Sequence, residues 1–159
     1  PEGTIVIRKS VDAPPETASQ SFRFTGSISY EPDSSFTIDA APGNDGSITF
    51  HRAAGQAWNF AEQVPQGWTL SSLGCGSQLG TSSSSINMTD KSASVNLAAG
   101  DVVTCTFTNA LTPPPSGLSL SKVSYGDTGR FDFAIDPRSG GASFAANAVT
   151  TAPHGHEIT

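Results

Sequence analysis

Val102-Val103-Thr104-Cys105-Thr106-Phe107-Thr108-Asn109 alternates apolar and polar residues and then breaks its own rule at the last position. In an extended strand alternate side chains share a face, so Val103, Cys105 and Phe107 point into a core, and Asn109 follows them. Two other segments break the rule in the same way. In Ile5-Val6-Ile7-Arg8-Lys9, Lys9 is in phase with Ile5 and Ile7, while Arg8 faces outward. In Ala57-Trp58-Asn59-Phe60-Ala61-Glu62-Gln63-Val64-Pro65-Gln66-Gly67-Trp68, Glu62 is in phase with Trp58, Phe60 and Val64. An amine, an acid and an amide thus aim at one core. A buried Lys or Glu is costly unless it is paired. The residues alone allow a buried Lys-Glu ion pair with Asn109 hydrogen-bonded beside it.

Working outward, residues 4–11 read as a strand and residues 20–30 as another, with Phe22, Phe24, Ile28 and Tyr30 in phase. A turn-rich stretch follows, containing Pro42-Gly43-Asn44-Asp45-Gly46, in which Asp-Gly is a strong turn signal. Ser47–Phe50, Gln56–Val64, Trp68–Leu73, Ser92–Leu97 and Asp101–Asn109 read as further strands. Ser82–Ser85 reads as a loop, and Ala98-Ala99-Gly100-Asp101 as the hairpin joining the last two strands. No segment shows a helical period. Seven or eight short strands in about 110 residues predict an all-β, Ig-like sandwich of about seven strands.

Charged residues make up 14% of the 159, while Gly, Pro, Ser and Thr are plentiful, the profile of an extracellular module with many turns. The net charge of −6 comes with no basic cluster, so neither nucleic acid nor an anionic membrane surface is an expected partner. No apolar run reaches the ~20 residues of a spanning helix, so no membrane insertion is expected in this segment. No signal peptide or anchor is seen, and a mature or excised fragment is the simplest expectation. A bridge between Cys75 and Cys105 would close a loop of about 30 residues, contributing roughly 3–4 kcal/mol. Two unrelated buried thiols are the alternative, and the secreted composition favours the bridge.

Residues 1–111 form the expected sandwich, and 112–117 (Thr112-Pro113-Pro114-Pro115-Ser116-Gly117) a linker stiffened by proline. Residues 118–159 read as a partial second copy. Leu118-Ser119-Leu120-Ser121-Lys122 repeats the phase of Ile5–Lys9, and Phe131-Asp132-Phe133 repeats Phe22-Arg23-Phe24. No counterpart of the Glu62 or Asn109 strands follows. A partial domain cannot close its own core, so this segment is expected to be unstable alone, truncated, or completed by a neighbour.

Three features resemble the Cna protein B-type family, also called SpaA-like or prealbumin-like fold domains, the repeats of bacterial surface adhesins and pili. These are Lys9 closing the first strand, the motif Glu-x-x-Pro-x-Gly-aromatic (Glu62, Pro65, Gly67, Trp68), and Thr108-Asn109-Ala110 closing the last strand. The likeness covers residues 3–111, and Lys122 begins a second instance. The resemblance implies an isopeptide crosslink between Lys9 and Asn109 promoted by Glu62, a single turnover on the chain itself and not enzyme activity. It implies no cofactor, an extracellular or bacterial cell-surface location, and a structural stalk or spacer role. Its expected partners are neighbouring repeats of the same parent protein. Two further roles stay open. One is an adhesin module contacting a glycan or a host protein through Trp68 or Ser82–Ser85. The other is a self-assembling fibre subunit whose second domain is completed in trans.

The remaining signals favour plain structural readings. His154-Gly155-His156-Glu157 holds metal-type ligands, but with no companion cluster it reads as a ragged tail. Asp39, Asn44 and Asp45 lack the spacing of a calcium loop and read as turn chemistry. His51 is the sole histidine of the first domain and no Gly-x-Ser-x-Gly elbow exists, which argues against a serine hydrolase. Asn87-Met88-Thr89 fits a glycosylation sequon, relevant only in a eukaryotic secretory route. Trp58 and Trp68 read as core.

Overall fold

A computed structural model of the chain describes residues 1–113, 122–125, 130–135, 144–149 and 154–158. The chain divides into two compact units, Pro1–Pro114 and Pro115–Thr159. No helix among the described residues is long and apolar enough to cross a membrane.

The first unit is a β-sandwich of nine strands: β1 (Glu2–Asp12), β2 (Gln20–Thr25), β3 (Ser35–Ala40), β4 (Gly46–Ala53), β5 (Ala57–Gln63), β6 (Trp68–Ser77), β7 (Ser83–Asn87), β8 (Ser92–Asn96) and β9 (Val102–Leu111). One sheet has the order β4-β1-β9-β6 and the other β3-β2-β5-β8-β7. The alternation that marked the strands is the alternation that builds the core. Ile5, Ile7, Phe22, Phe24, Phe60 and Phe107 are all at most 1% exposed. Phe24 stacks on Phe36 of the neighbouring strand and meets Phe107 edge-on across the two sheets, each at 5.1 Å between ring centres. Each such side chain contributes about 1.5–3 kcal/mol when fully buried.

The first and last strands lie side by side. β1 and β9 run parallel, with Ile5 opposite Val103, Lys9 opposite Phe107 and Val11 opposite Asn109. The chain therefore enters at one end of this strand pair and leaves at the other.

Several expected boundaries differ. β2 ends at Thr25 and not at residue 30, because Gly26 brings the backbone against β5. A Cβ there would sit 2.1 Å from the Asn59 carbonyl oxygen. Beyond that turn the two-residue phase is lost. Ile28 is fully buried, but Tyr30, expected in the core, is 75% exposed and lies over the Arg52 guanidinium. β3 lay hidden in the turn-rich stretch, although Phe36, Ile38 and Ala40 alternate inward. The Ser82–Ser85 loop is in large part β7, an edge strand exposed along its whole length. It buries no face, so no apolar alternation announced it, and its pairing with β8 holds it. Ala98–Asp101 is not a hairpin, since β8 and β9 belong to different sheets, and the segment crosses between them.

In the second unit β10 (Lys122–Tyr125) pairs antiparallel with β13 (His154–Ile158), and β11 (Arg130–Ile135) with β12 (Phe144–Val149). The expected ragged tail around His154–Glu157 is thus a paired strand. Leu118–Ser121 lies outside the described residues. Lys122 begins β10 opposite Ile158, whereas Lys9 lies late in β1 opposite Gly46.

Candidate functional site

Parallel, in-register pairing places Lys9 and Asn109 one two-residue step apart on the same inward face of adjacent strands. Glu62 comes from the facing sheet, on β5 opposite Phe24 of β2. Its backbone N–H donates to the Lys91 carbonyl at 2.9 Å, which anchors this end of β5. Lys9 and Asn109 are 0% exposed and Glu62 is 4% exposed, so the sandwich encloses all three.

One carboxylate oxygen touches both nitrogens. Glu62 Oε1 lies 3.3 Å from Lys9 Nζ and accepts a hydrogen bond from Asn109 Nδ2 at 2.9 Å. Lys9 Nζ also donates to the backbone carbonyls of Ser10 and Phe107, each at 3.3 Å, and sits 4.2 Å from the centre of the Phe22 ring. Two buried atoms, Glu62 Oε2 and Asn109 Oδ1, have no partner.

Burial pushes the Lys9 amine from its ordinary 10.5 down to about 8, with the Glu62 charge pulling the other way. Burial also raises the Glu62 carboxyl above its ordinary 4.5, opposed by Lys9 and by the hydrogen bond from Asn109. The same loss of solvent drives the two values toward each other. Burial thus favours the neutral amine and the protonated acid more than water would, with an amide in contact with the acid.

The turn that delivers Glu62 carries the aromatic of its motif. Gly67 adopts φ 84°, a left-handed conformation open to glycine, and Trp68 N–H donates to the Pro65 carbonyl at 3.2 Å. Trp68 is then tucked edge-on against Phe22 at 5.4 Å and is only 9% exposed. It offers no stacking platform to a sugar.

Cys75 and Cys105 form a disulfide across directly opposed positions of β6 and β9. Cys105 is fully buried. Arg8 faces outward and pairs with Asp45 at 3.1 Å. Asn87 is exposed, and its side chain accepts from the N–H groups of Thr89 and Asp90 in a turn. His51 is exposed and contacts the Thr4 hydroxyl. Among the described residues no three His, Cys, Asp or Glu side chains are grouped to hold a metal. The side chains of Lys122, His154, His156 and Glu157 lie outside the described ones.

Sequence reasoning missed Asp101. Its carboxylate is fully buried and accepts from the Ser77 and Thr81 hydroxyls and from the N–H groups of Leu79, Ser82 and Val102. The hydroxyl of Ser77 and the hydrogen bonds from Ser82 hold it well below the usual carboxylate range, against a smaller cost of burial. The signal was present, since Asp101 is in phase with Val103, Cys105, Phe107 and Asn109.

The family model of the SpaA-type prealbumin-like fold domain matches residues 5–111, from the first core residue of β1 to the last residue of β9. Comparison with curated proteins matched nothing, and neither did comparison with solved structures.

Proposed function

The chain belongs to the prealbumin-like fold domain family, and from that premise we propose that its first unit is a load-bearing stalk or spacer module of a bacterial surface adhesin or pilus-like protein, closed by a Lys9–Asn109 isopeptide bond. The observation that carries the reading is the shared contact of Glu62 Oε1 with Lys9 Nζ and Asn109 Nδ2.

The reaction balances with these groups alone. The neutral Lys9 amine attacks the Asn109 side-chain carbonyl carbon. The Glu62 carboxylic acid, whose Oε2 has no other partner, donates toward the developing charge on Asn109 Oδ1, also without a partner. Glu62 then takes a proton from Nζ and passes it to Nδ2, which leaves as ammonia. A new Nζ–Cγ amide replaces the Cγ–Nδ2 bond. Two rigid neighbouring strands hold amine and amide together, and this supplies the effective concentration the step needs.

The function follows from the route of force. Tension entering at Glu2 and leaving at Leu111 loads the parallel β1–β9 pair in shear. A bond from Lys9 to Asn109 carries that load directly, so the residues between them bear none. The disulfide ties β6 to the same strand. The second unit supports a tandem reading, since β10 pairs with β13 and β11 with β12 as β1 pairs with β4 and β2 with β3.

The test is the intact mass of the denatured chain, oxidised and reduced, beside a Glu62→Ala variant. A deficit of one ammonia in the parent and none in the variant is expected. A parent chain of full mass would reduce the three residues to a buried polar cluster.

A further inference from the structure

The crosslinking reading leaves unexplained what aims the amine, and the inference drawn from that gap rests on the same reading. A flexible lysine side chain must be held with its lone pair toward one carbon. Its neutral amine has two hydrogens and one lone pair. Three oxygens, the carbonyls of Ser10 and Phe107 and Glu62 Oε1, each lie 3.3 Å away to accept those two hydrogens, so they do not by themselves fix the lone pair. The two carbonyls belong to the strand pair itself, and Glu62 to the facing sheet. The facing sheet supplies the opposing surface, the Phe22 ring at 4.2 Å, fully buried and backed edge-on by Trp68.

We propose that Phe22, backed by Trp68, is a positioning residue for the Lys9–Asn109 crosslink. Its ring face confines the Lys9 amine among the oxygens that take its hydrogens, so that its lone pair is left for Asn109. This assigns work to the aromatic of the Glu-x-x-Pro-x-Gly-aromatic motif. Trp68 does not meet a ligand but buttresses the ring that meets the amine. Phe22 and Glu62 both come from the facing sheet, so the amine from β1 is met by an acid and a ring set on neighbouring strands.

A ring face also attracts an ammonium more than a neutral amine. Replacing it by an aliphatic side chain leaves burial less opposed, so the amine titrates lower. Loosening of the pocket would do the reverse, since entering water returns the amine toward its ordinary 10.5.

The experiment folds unlinked, denatured chain by dilution, quenches samples over time, and follows loss of ammonia by mass across the neutral to alkaline range. Phe22→Leu is compared with the parent, with circular dichroism to confirm folding. Phe22→Met, whose flexible side chain refills the space, is the second ringless variant. The expected result is a crosslinking rate lower by about tenfold, with the midpoint of its pH profile shifted down. An unchanged rate and profile would overturn the proposal. So would a slower rate with the midpoint shifted up, the signature of a merely loosened core. A parent chain that never loses ammonia would sink the crosslinking reading itself, and this proposal with it.

Discussion

At one end of β9 the Asp101 carboxylate is buried among five donors, and at the other end Lys9, Glu62 and Asn109 are buried with two of their polar atoms unmatched. Both places remove a charge from water. At Asp101 the donors outweigh the loss of solvent, and the carboxylate stays ionised far below its ordinary value. At the triad the loss of solvent outweighs the contacts, and acid and amine are both pushed toward their neutral forms. A saturated buried charge is inert and serves as a clamp, here tying the segment from Ser77 to Ser82 onto the start of β9. An under-satisfied one stores free energy that a reaction can release.

Breaking the reactive end is expected to have the largest effect. Asn109→Ala should abolish the proposed crosslink and its closed loop of about 100 residues, a loss of roughly 4–5 kcal/mol by loop entropy. Under single-molecule tension the parent should show no unfolding step from this unit, while the variant extends. Reducing the disulfide in the variant should add roughly 100 Å, the length of about 30 further residues. A variant as inextensible as the parent would show that the load never passed through Lys9 and Asn109.

The pH dependence sharpens the contrast. In Asn109→Ala the Lys9 amine remains free. Between about 8 and its ordinary 10.5 the unfolded chain holds a proton that the folded chain lacks, so stability rises with pH through that window. The rise is at most about 3 kcal/mol. If the parent is crosslinked as proposed, Lys9 is an amide with nothing to titrate, and the slope from it should vanish. Chemical denaturation at a series of pH values separates the two, and equal slopes would contradict the crosslink.

A smaller effect is expected from the inert end. Asp101→Asn keeps the shape but removes the charge five donors share, lowering the melting temperature without touching the ammonia deficit. A carboxylate held below its ordinary 3.8 contributes stability present above that value and lost as pH falls beneath it. The difference between parent and variant should therefore be full at neutral pH and shrink in strong acid. Loss of the crosslink in this variant would mean that the two ends are coupled.

The inward direction of Lys9, Glu62 and Asn109 was legible because a strand has a two-residue period and each interrupts an apolar face. Asp101 obeys the same period and was overlooked because Ala98-Ala99-Gly100-Asp101 looks like a turn. β3 was legible in principle from Phe36, Ile38 and Ala40, but the Pro and Gly turns flanking it hid six residues. β7 was not legible at all. A strand exposed on both faces has no burial to pattern its sequence, and only its pairing with β8 defines it. Tyr30 shows the limit of phase, since one close approach at Gly26 ended the strand and turned the ring outward.

Alternation along single segments by itself determined the all-β class, the inward faces, and the three polar residues set on them, because side-chain direction in a strand depends only on local geometry. Tertiary structure alone decided that β1 lies parallel and in register with β9, that β8 and β9 part into different sheets, and that Glu62 reaches both nitrogens from across the sandwich. Those facts depend on which strands pair and how two sheets face each other, and the contacts that settle them join residues separated by tens of positions in the chain.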